Sequence, residues 1–167
     1  MLHTIAEFER IWAAEVEATQ KIFKHLTTAS LSQRGDGDGR TIGRLAWHIV
    51  TTVSEMMSRT GLALAGPAPD APVPLTAREI VSAYNEVALS LLDRVNAGWT
   101  DASLAVEDDM YGEKWKRAET LRALIFHQIH HRGQMTVLMR QAGLDVPGVY
   151  GPARQEWALY GMQPPEV

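Results

Sequence analysis

The chain has no cysteine among its 167 residues. Disulfide staples and thiolate-ligated zinc are therefore excluded, and any metal must be held by histidine or carboxylate. A run of about 18 uncharged apolar residues is also lacking, which excludes a membrane-spanning helix. Lysine and arginine form no basic stripe and the formal net charge is −4, so nucleic-acid binding by phosphate neutralisation is not expected. The opening residues, Met1 to Glu7, have neither a basic n-region nor an apolar h-region, so a secretory leader is not expected and a cytoplasmic location is. Internal repeats and low-complexity segments are absent too. At this length one domain, residues 1–167, buries about 70% of its unfolded surface and needs no staples.

What is present is helical periodicity. Ile5, Phe8, Trp12, Val16, Thr19, Ile22, Phe23 and Leu26 recur at spacings of three and four and predict a helix over 2–29, with Thr4 and Glu7 at capping-box spacing. A Gly/Asp-rich loop over 30–40 follows. Thr41 is the expected N-cap of a second helix over 41–64, ending near Gly61 or Gly66, whose buried stripe is Ile42, Leu45, Ile49, Val53 and Met56. Pro67, Pro69, Pro72 and Pro74 forbid helix and make a stiff connector over 66–75. Thr76 and Glu79 form a second capping box, opening a third helix to about residue 98 with Ile80, Tyr84, Val87, Leu91 and Val95 inward. A long connection, 99–116, has an expected extended piece at Ser103–Val106. The fourth helix, about 117–142, ends at Gly143 as its C′ residue. A short terminal helix is expected over 153–161, with Trp157 and Tyr160 packing back. The remaining tryptophans and the methionines read as core. Four amphipathic segments joined by polar connectors predict an all-α four-helix bundle, and the first two connections are long enough for a crossover.

The fourth helix carries Leu-Ile-Phe-His-Gln-Ile-His-His-Arg-Gly-Gln-Met over 124–135, with three of the six histidines. His127 and His131, four apart, lie about 40° apart around a helix and one turn above the other. Two imidazoles so stacked can reach one metal at roughly 2.0–2.1 Å. Taken alone, such a pair reads more readily as hydrogen-bonded histidines on a part-exposed face. Gln128 follows His127, so the His-Glu-x-x-His of metalloproteases is not present. His48, beside Leu45 and Ile49 on the second helix, is the candidate third ligand. A buried neutral imidazole needs partners for both nitrogens, and a metal on one nitrogen meets half of that need. Three histidines with an open position are the layout of a catalytic metal site. His130 suits a place beside the site or at a subunit contact, and His3 and His25 read as surface residues. Glu55, seven residues after His48, is a candidate for holding water or orienting a ligand, or pairs with Arg59 four residues on. Arg34-Gly35-Asp36 and the Asp36-x-Asp38 start of a calcium loop are chance spellings: the loop's glutamate at position twelve is missing.

His127-Gln-Ile-His-His131-Arg-Gly-Gln134 resembles the signature of the DinB/YfiT-like metalloenzyme family. Thr41-Ile-Gly-Arg-Leu-Ala-Trp-His48-Ile resembles that family's second-helix segment, and Gly143-Leu-Asp-Val-Pro-Gly-Val-Tyr-Gly-Pro152 its segment after the fourth helix. The resemblance runs from the second helix to the tail. It implies a four-helix bundle, commonly a homodimer, with one divalent metal on His48, His127 and His131. Of the other motif residues, Gly133 is expected to permit close helix packing and Arg132 to tie the fourth helix to a neighbouring element or carboxylate.

The resemblance further implies a metal-dependent S-transferase working with a low-molecular-weight thiol and an electrophilic substrate. The metal, zinc or nickel, would hold the thiol as thiolate. Two alternatives stand beside it. One is a hydrolase using metal-bound water, with Glu55 the best available base. The other is a non-catalytic metal-binding or interaction bundle, its site closed by Glu55 or His130. Arg44, Arg59 and Arg132 are candidates to receive a charged thiol.

Overall fold

Side chains at the start of each segment set the helices. In the computed structural model, which describes residues 2–35 and 37–166, α1 runs Ile5–Phe23, α2 Ile42–Ser58, α3 Ala77–Gly98 and α4 Arg117–Gln141. Thr4 Oγ1 accepts the Glu7 N–H (3.1 Å), while the Glu7 carboxylate accepts from the N–H of His3 (2.9 Å). Thr41 Oγ1 accepts the Arg44 N–H at 3.1 Å. Thr76 and Glu79 close a full reciprocal box. Each interaction satisfies amides that the first helical turn leaves without partners. Gly143 (φ 73°) ends α4 in the left-handed conformation, as its position predicts.

Two helices end before their expected bounds. After Phe23 the hydroxyls of Thr27 and Ser30 bond nearby backbone and turn the chain into a 3-10 helix at Ala29–Ser32. After Ser58 the Thr60 hydroxyl takes the Met57 carbonyl (2.7 Å), and Gly61 adopts φ 80°, so α2 ends six residues before the expected 64. The extended piece expected at Ser103–Val106 is not found. Residues Asp101–Ala105 form a 3-10 helix, and the extended structure lies further on, as an antiparallel hairpin of β1 (Glu107–Met110) and β2 (Glu113–Lys116). Opposite charges face each other across it, Glu107 with Lys116 and Asp109 with Lys114. Tyr111 (φ 62°) and Gly112 (φ 89°) form the turn, both left-handed, as a two-residue hairpin of primed type requires. The terminal segment Arg154–Tyr160 is a 3-10 helix, and Tyr160 stays exposed at 63% instead of packing back.

Around the bundle the helices follow the order α1, α3, α2, α4, so α1 and α2 occupy one diagonal. Pairs Glu15–Arg132 and Thr19–Gln128 run α4 antiparallel to α1, and Arg117 reaching the Thr60 carbonyl (3.2 Å) runs it antiparallel to α2. The α1–α2 connection is therefore a crossover. Phe8, Trp12, Ile49, Val53, Tyr84, Leu91, Leu121 and Met135 fill the interior. Trp47 Nε1–H donates to the Ala71 carbonyl (2.7 Å), which pins the proline-rich connector to α2. Among the described residues no helix is long and apolar enough to cross a membrane.

Candidate metal centre

Buried neighbours on α2 fix where His48 points. Leu45 and Ile49 face the core, and between them His48 sits half-buried on the side of α2 that packs against α4. On α4, Leu124, Gln128 and Met135 are buried, and His127 and His131 share the face toward α2. Nε2 of His127 lies 3.1 Å from Nε2 of His48 and 3.1 Å from Nε2 of His131. The three donor atoms all fall within 4.8 Å of one another. Donors held by one ion at 2.0–2.1 Å are separated by roughly 2.8–3.4 Å at octahedral or tetrahedral angles. The sequence selected these three residues by period and facing, and the fold brings them together.

Their surroundings favour lone pairs pointing at a common centre. Gln134 Oε1 lies 2.7 Å from His131 Nδ1, and an amide oxygen can only accept. The proton of His131 is thus on Nδ1, and Nε2 is left bare. Thr52 Oγ1 lies 3.3 Å from His48 Nδ1 and can accept in the same sense. His127 Nδ1 is buried with no hydrogen-bond partner. Its Nε2 meets two other Nε2 atoms, and a single proton cannot serve both contacts. One cation shared by all three nitrogens satisfies them together. Burial, reinforced by the neighbouring imidazoles, pushes His48 and His127 down to about 4 and moves His131 in the same direction. All three are neutral near pH 7, the state that ligates metal. The residues therefore fit a divalent ion.

The other candidates are not among the converging donors. Both oxygens of Glu55 are engaged: Oε1 accepts from Arg59 Nε–H (2.8 Å) and Oε2 from the Tyr111 hydroxyl (2.6 Å). Arg59 also lies over the Tyr111 ring, 4.3 Å from its centroid. Arg132 points away from the histidines, buried against Glu15 of α1. His130 is exposed, its ring 4.9 Å from that of His131. His3 and His25 are exposed as expected, and Arg44, a candidate to receive a charged thiol, is exposed as well. Gly133 does not serve close packing: a Cβ there would meet open space. The Arg-Gly-Asp and calcium-loop spellings both include Asp36, which lies outside the described residues.

Sequence reasoning missed the partners of the histidines. Thr52 follows His48 by four residues and Gln134 follows His131 by three, spacings that place each on its histidine's own helix face. A search for such i+3 and i+4 acceptors would have found both. It also missed a cavity of about 420 Å³ that opens beside His131, lined by Arg40, Leu45, Gln134, Val137 and Leu138. No local signal joins the Gly/Asp loop to the end of α4.

A four-helix bundle with three convergent imidazoles on two adjacent helices defines a class of bundles whose histidines could hold a metal ion. Residues 1–166 match the profile of the DinB family, and the chain belongs to that family. It is 42% identical over 167 residues to the uncharacterized protein YrdA of Bacillus subtilis, covering 100% of both chains. A DinB-like protein from Bacillus cereus, solved by crystallography, superposes with a TM-score of 0.87 at 46% identity, covering 90% of this chain and 100% of that one. The DinB-like protein YjoA of B. subtilis shares the fold with a TM-score of 0.68 at 18% identity, over 87% of this chain and 98% of that one.

Proposed function

We propose that this protein is a metal-dependent S-transferase. In this reading His48, His127 and His131 hold one divalent ion, zinc or nickel, and a low-molecular-weight thiol is the nucleophile. The observation that carries the reading is the convergence of three neutral Nε2 donors beside an open cavity. When bound, such an ion lowers the pKa of a coordinated thiol and makes it nucleophilic near neutral pH.

The chain's own residues do the rest. Gln134 and Thr52 hold His131 and His48 with Nε2 inward. Leu45, Val137 and Leu138 give the cavity an apolar wall for the body of a substrate, and Arg40 places a cation at its edge for an anionic thiol or electrophile. The reaction forms a sulfur–carbon bond as the bond to the leaving group breaks, and the thiol proton passes to solvent.

A hydrolytic reading needs a carboxylate free to take a proton from water. Glu55, the sequence's best candidate, is occupied by Arg59 and Tyr111, which favours the thiol reading.

The test is metal analysis of the purified protein, then titration of the cobalt- or nickel-substituted form with small thiols. About one equivalent of metal and a sulfur-to-metal charge-transfer band are expected. Metal that ignores thiols would move the assignment to hydrolysis or to a non-catalytic role. No uptake under metal-replete conditions would refute the site. His48→Ala, His127→Ala and His131→Ala should each lose metal and keep helix content, and full occupancy in one variant would strike that residue from the ligand set.

A further inference from the structure

The fourth helix carries two parallel polar seams. His127 and His131 face α2. Gln128 and Arg132, each one residue further on and so turned by about 100°, point into the bundle on another side. Both are almost fully buried, at 0% and 2% exposure. A buried guanidinium demands partners, and Arg132 has them. Nη2 donates to Glu15 Oε2 (2.6 Å), and Nη1 donates to Thr19 Oγ1 (2.9 Å) and the Glu15 carbonyl (3.2 Å). The Tyr150 hydroxyl, from the tail beyond α4, donates to both Glu15 carboxylate oxygens (2.8 and 3.0 Å) and accepts from Arg132. Gln128 Oε1 accepts from Tyr84 of α3 (2.6 Å) and from Thr19 of α1 (3.3 Å). One layer thus joins α1, α3, α4 and the tail at the level of the histidines.

Ionic layers of this kind are poor stabilisers, because apolar residues of similar volume often serve stability as well or better. What they add is direction. A hydrocarbon face tolerates a small helix rotation, and a set of aimed hydrogen bonds does not. A rotation of α4 by 10° would carry a group about 6 Å from its axis through roughly 1 Å. Metal–ligand distances tolerate only about ±0.2 Å.

We infer that the Glu15–Arg132–Tyr150 layer, with Gln128, is a positioning device for the three-histidine centre, setting the rotation of α4 and so the aim of His127 and His131. This rests on the three-histidine reading above. The four residues position and touch no substrate. Tyr150 enters the layer from a tail that Gly148 shapes: a Cβ there would overlap the Gly151 carbonyl oxygen and lie 2.8 Å from the Ala153 nitrogen. The tail is therefore part of the metal centre's support.

The test compares wild type with the double variant Glu15→Leu/Arg132→Met and with Tyr150→Phe. Metal-free unfolding midpoints, cobalt affinity by chelator competition and the cobalt d–d spectrum are measured on the full chain. The double variant should unfold at or above the wild-type midpoint yet bind cobalt about 10–100-fold more weakly, with a changed spectrum. Tyr150→Phe should show the same change at a smaller size, about three-fold or more. A folded double variant with wild-type affinity and spectrum would overturn the inference. Should the double variant not fold, Tyr150→Phe decides by the same two readouts, and unchanged values overturn it. Wild-type protein that takes up no cobalt would instead refute the three-histidine reading, and the inference with it.

Discussion

Replacing Gln134 separates ligand orientation from folding within one side chain. Its Oε1, 2.7 Å from His131 Nδ1, holds the proton there and leaves Nε2 bare toward His127. Gln134→Ala removes the acceptor and frees the ring to rotate or exchange tautomer. Losing such an outer partner of a ligating histidine typically weakens metal binding 10–100-fold, about 1.4–2.8 kcal/mol. The folding term is smaller. Gln134 is exposed on α4, and one hydrogen bond to a neutral ring contributes about 0.5–1.5 kcal/mol, partly replaced by water. Alanine's better helix propensity offsets some of that loss. The metal-free midpoint should therefore move by a few degrees at most, while zinc or cobalt affinity, read by competition with a chromophoric chelator, falls by at least ten-fold. Gln134→Glu keeps an acceptor and should keep the affinity. Affinity of Gln134→Ala within two-fold of wild type would refute the reasoning, because Nε2 would then be aimed by packing alone.

Further expectations concern pH, two glycines and assembly. His48 and His127 are held at about 4 against an ordinary value near 6.5, so the unfolded chain binds more protons between those pH values. Metal-free protein should lose stability as pH falls through this window, and equal urea midpoints at pH 7 and pH 5 would contradict that. Gly133→Ala fills open space on an exposed helix and should raise stability by about 0.5–1 kcal/mol, read as a higher melting temperature. Gly148→Ala forces backbone apart in the tail and should lower stability by about 1–3 kcal/mol, so an unchanged melting curve would mean that the tail yields freely. A homodimer is expected from the family resemblance, and light scattering at micromolar concentration should give twice the 18.5 kDa chain mass.

Much of the bundle can be read along the chain because the physics that makes it is local. Apolar spacing of three and four marks each helix, Thr41 and Thr76 cap where a hydroxyl can reach an amide three residues on, and four prolines interrupt helix over 66–75. Where the reading erred, a weaker local signal had won. Thr27 and Ser30 hydroxyls bond each other's backbone in the stretch where α1 was expected to continue, and offer it an alternative to helix. The Tyr111–Gly112 turn was missed because tyrosine is an unusual left-handed residue; its hydroxyl on Glu55 and the Arg59 guanidinium over its ring hold it there.

For the site, His127 and His131 were legible as a pair because four residues make about one helical turn. His48 joined them only as a candidate, since nothing in one helix's period says which helix it will face. The sequence by itself determined the helices, their buried faces and the residue types able to bind metal. Only the tertiary structure decided that α2 lies beside α4, that Tyr111 takes the Glu55 oxygen its i+4 partner Arg59 leaves free, and that Arg132 closes on Glu15 and Tyr150. The reason is the range of the forces. Propensity, capping and period act within a turn or two. The partner of a buried charge 117 residues away is set by how whole helix faces pack, and by the penalty of leaving that charge unpaired.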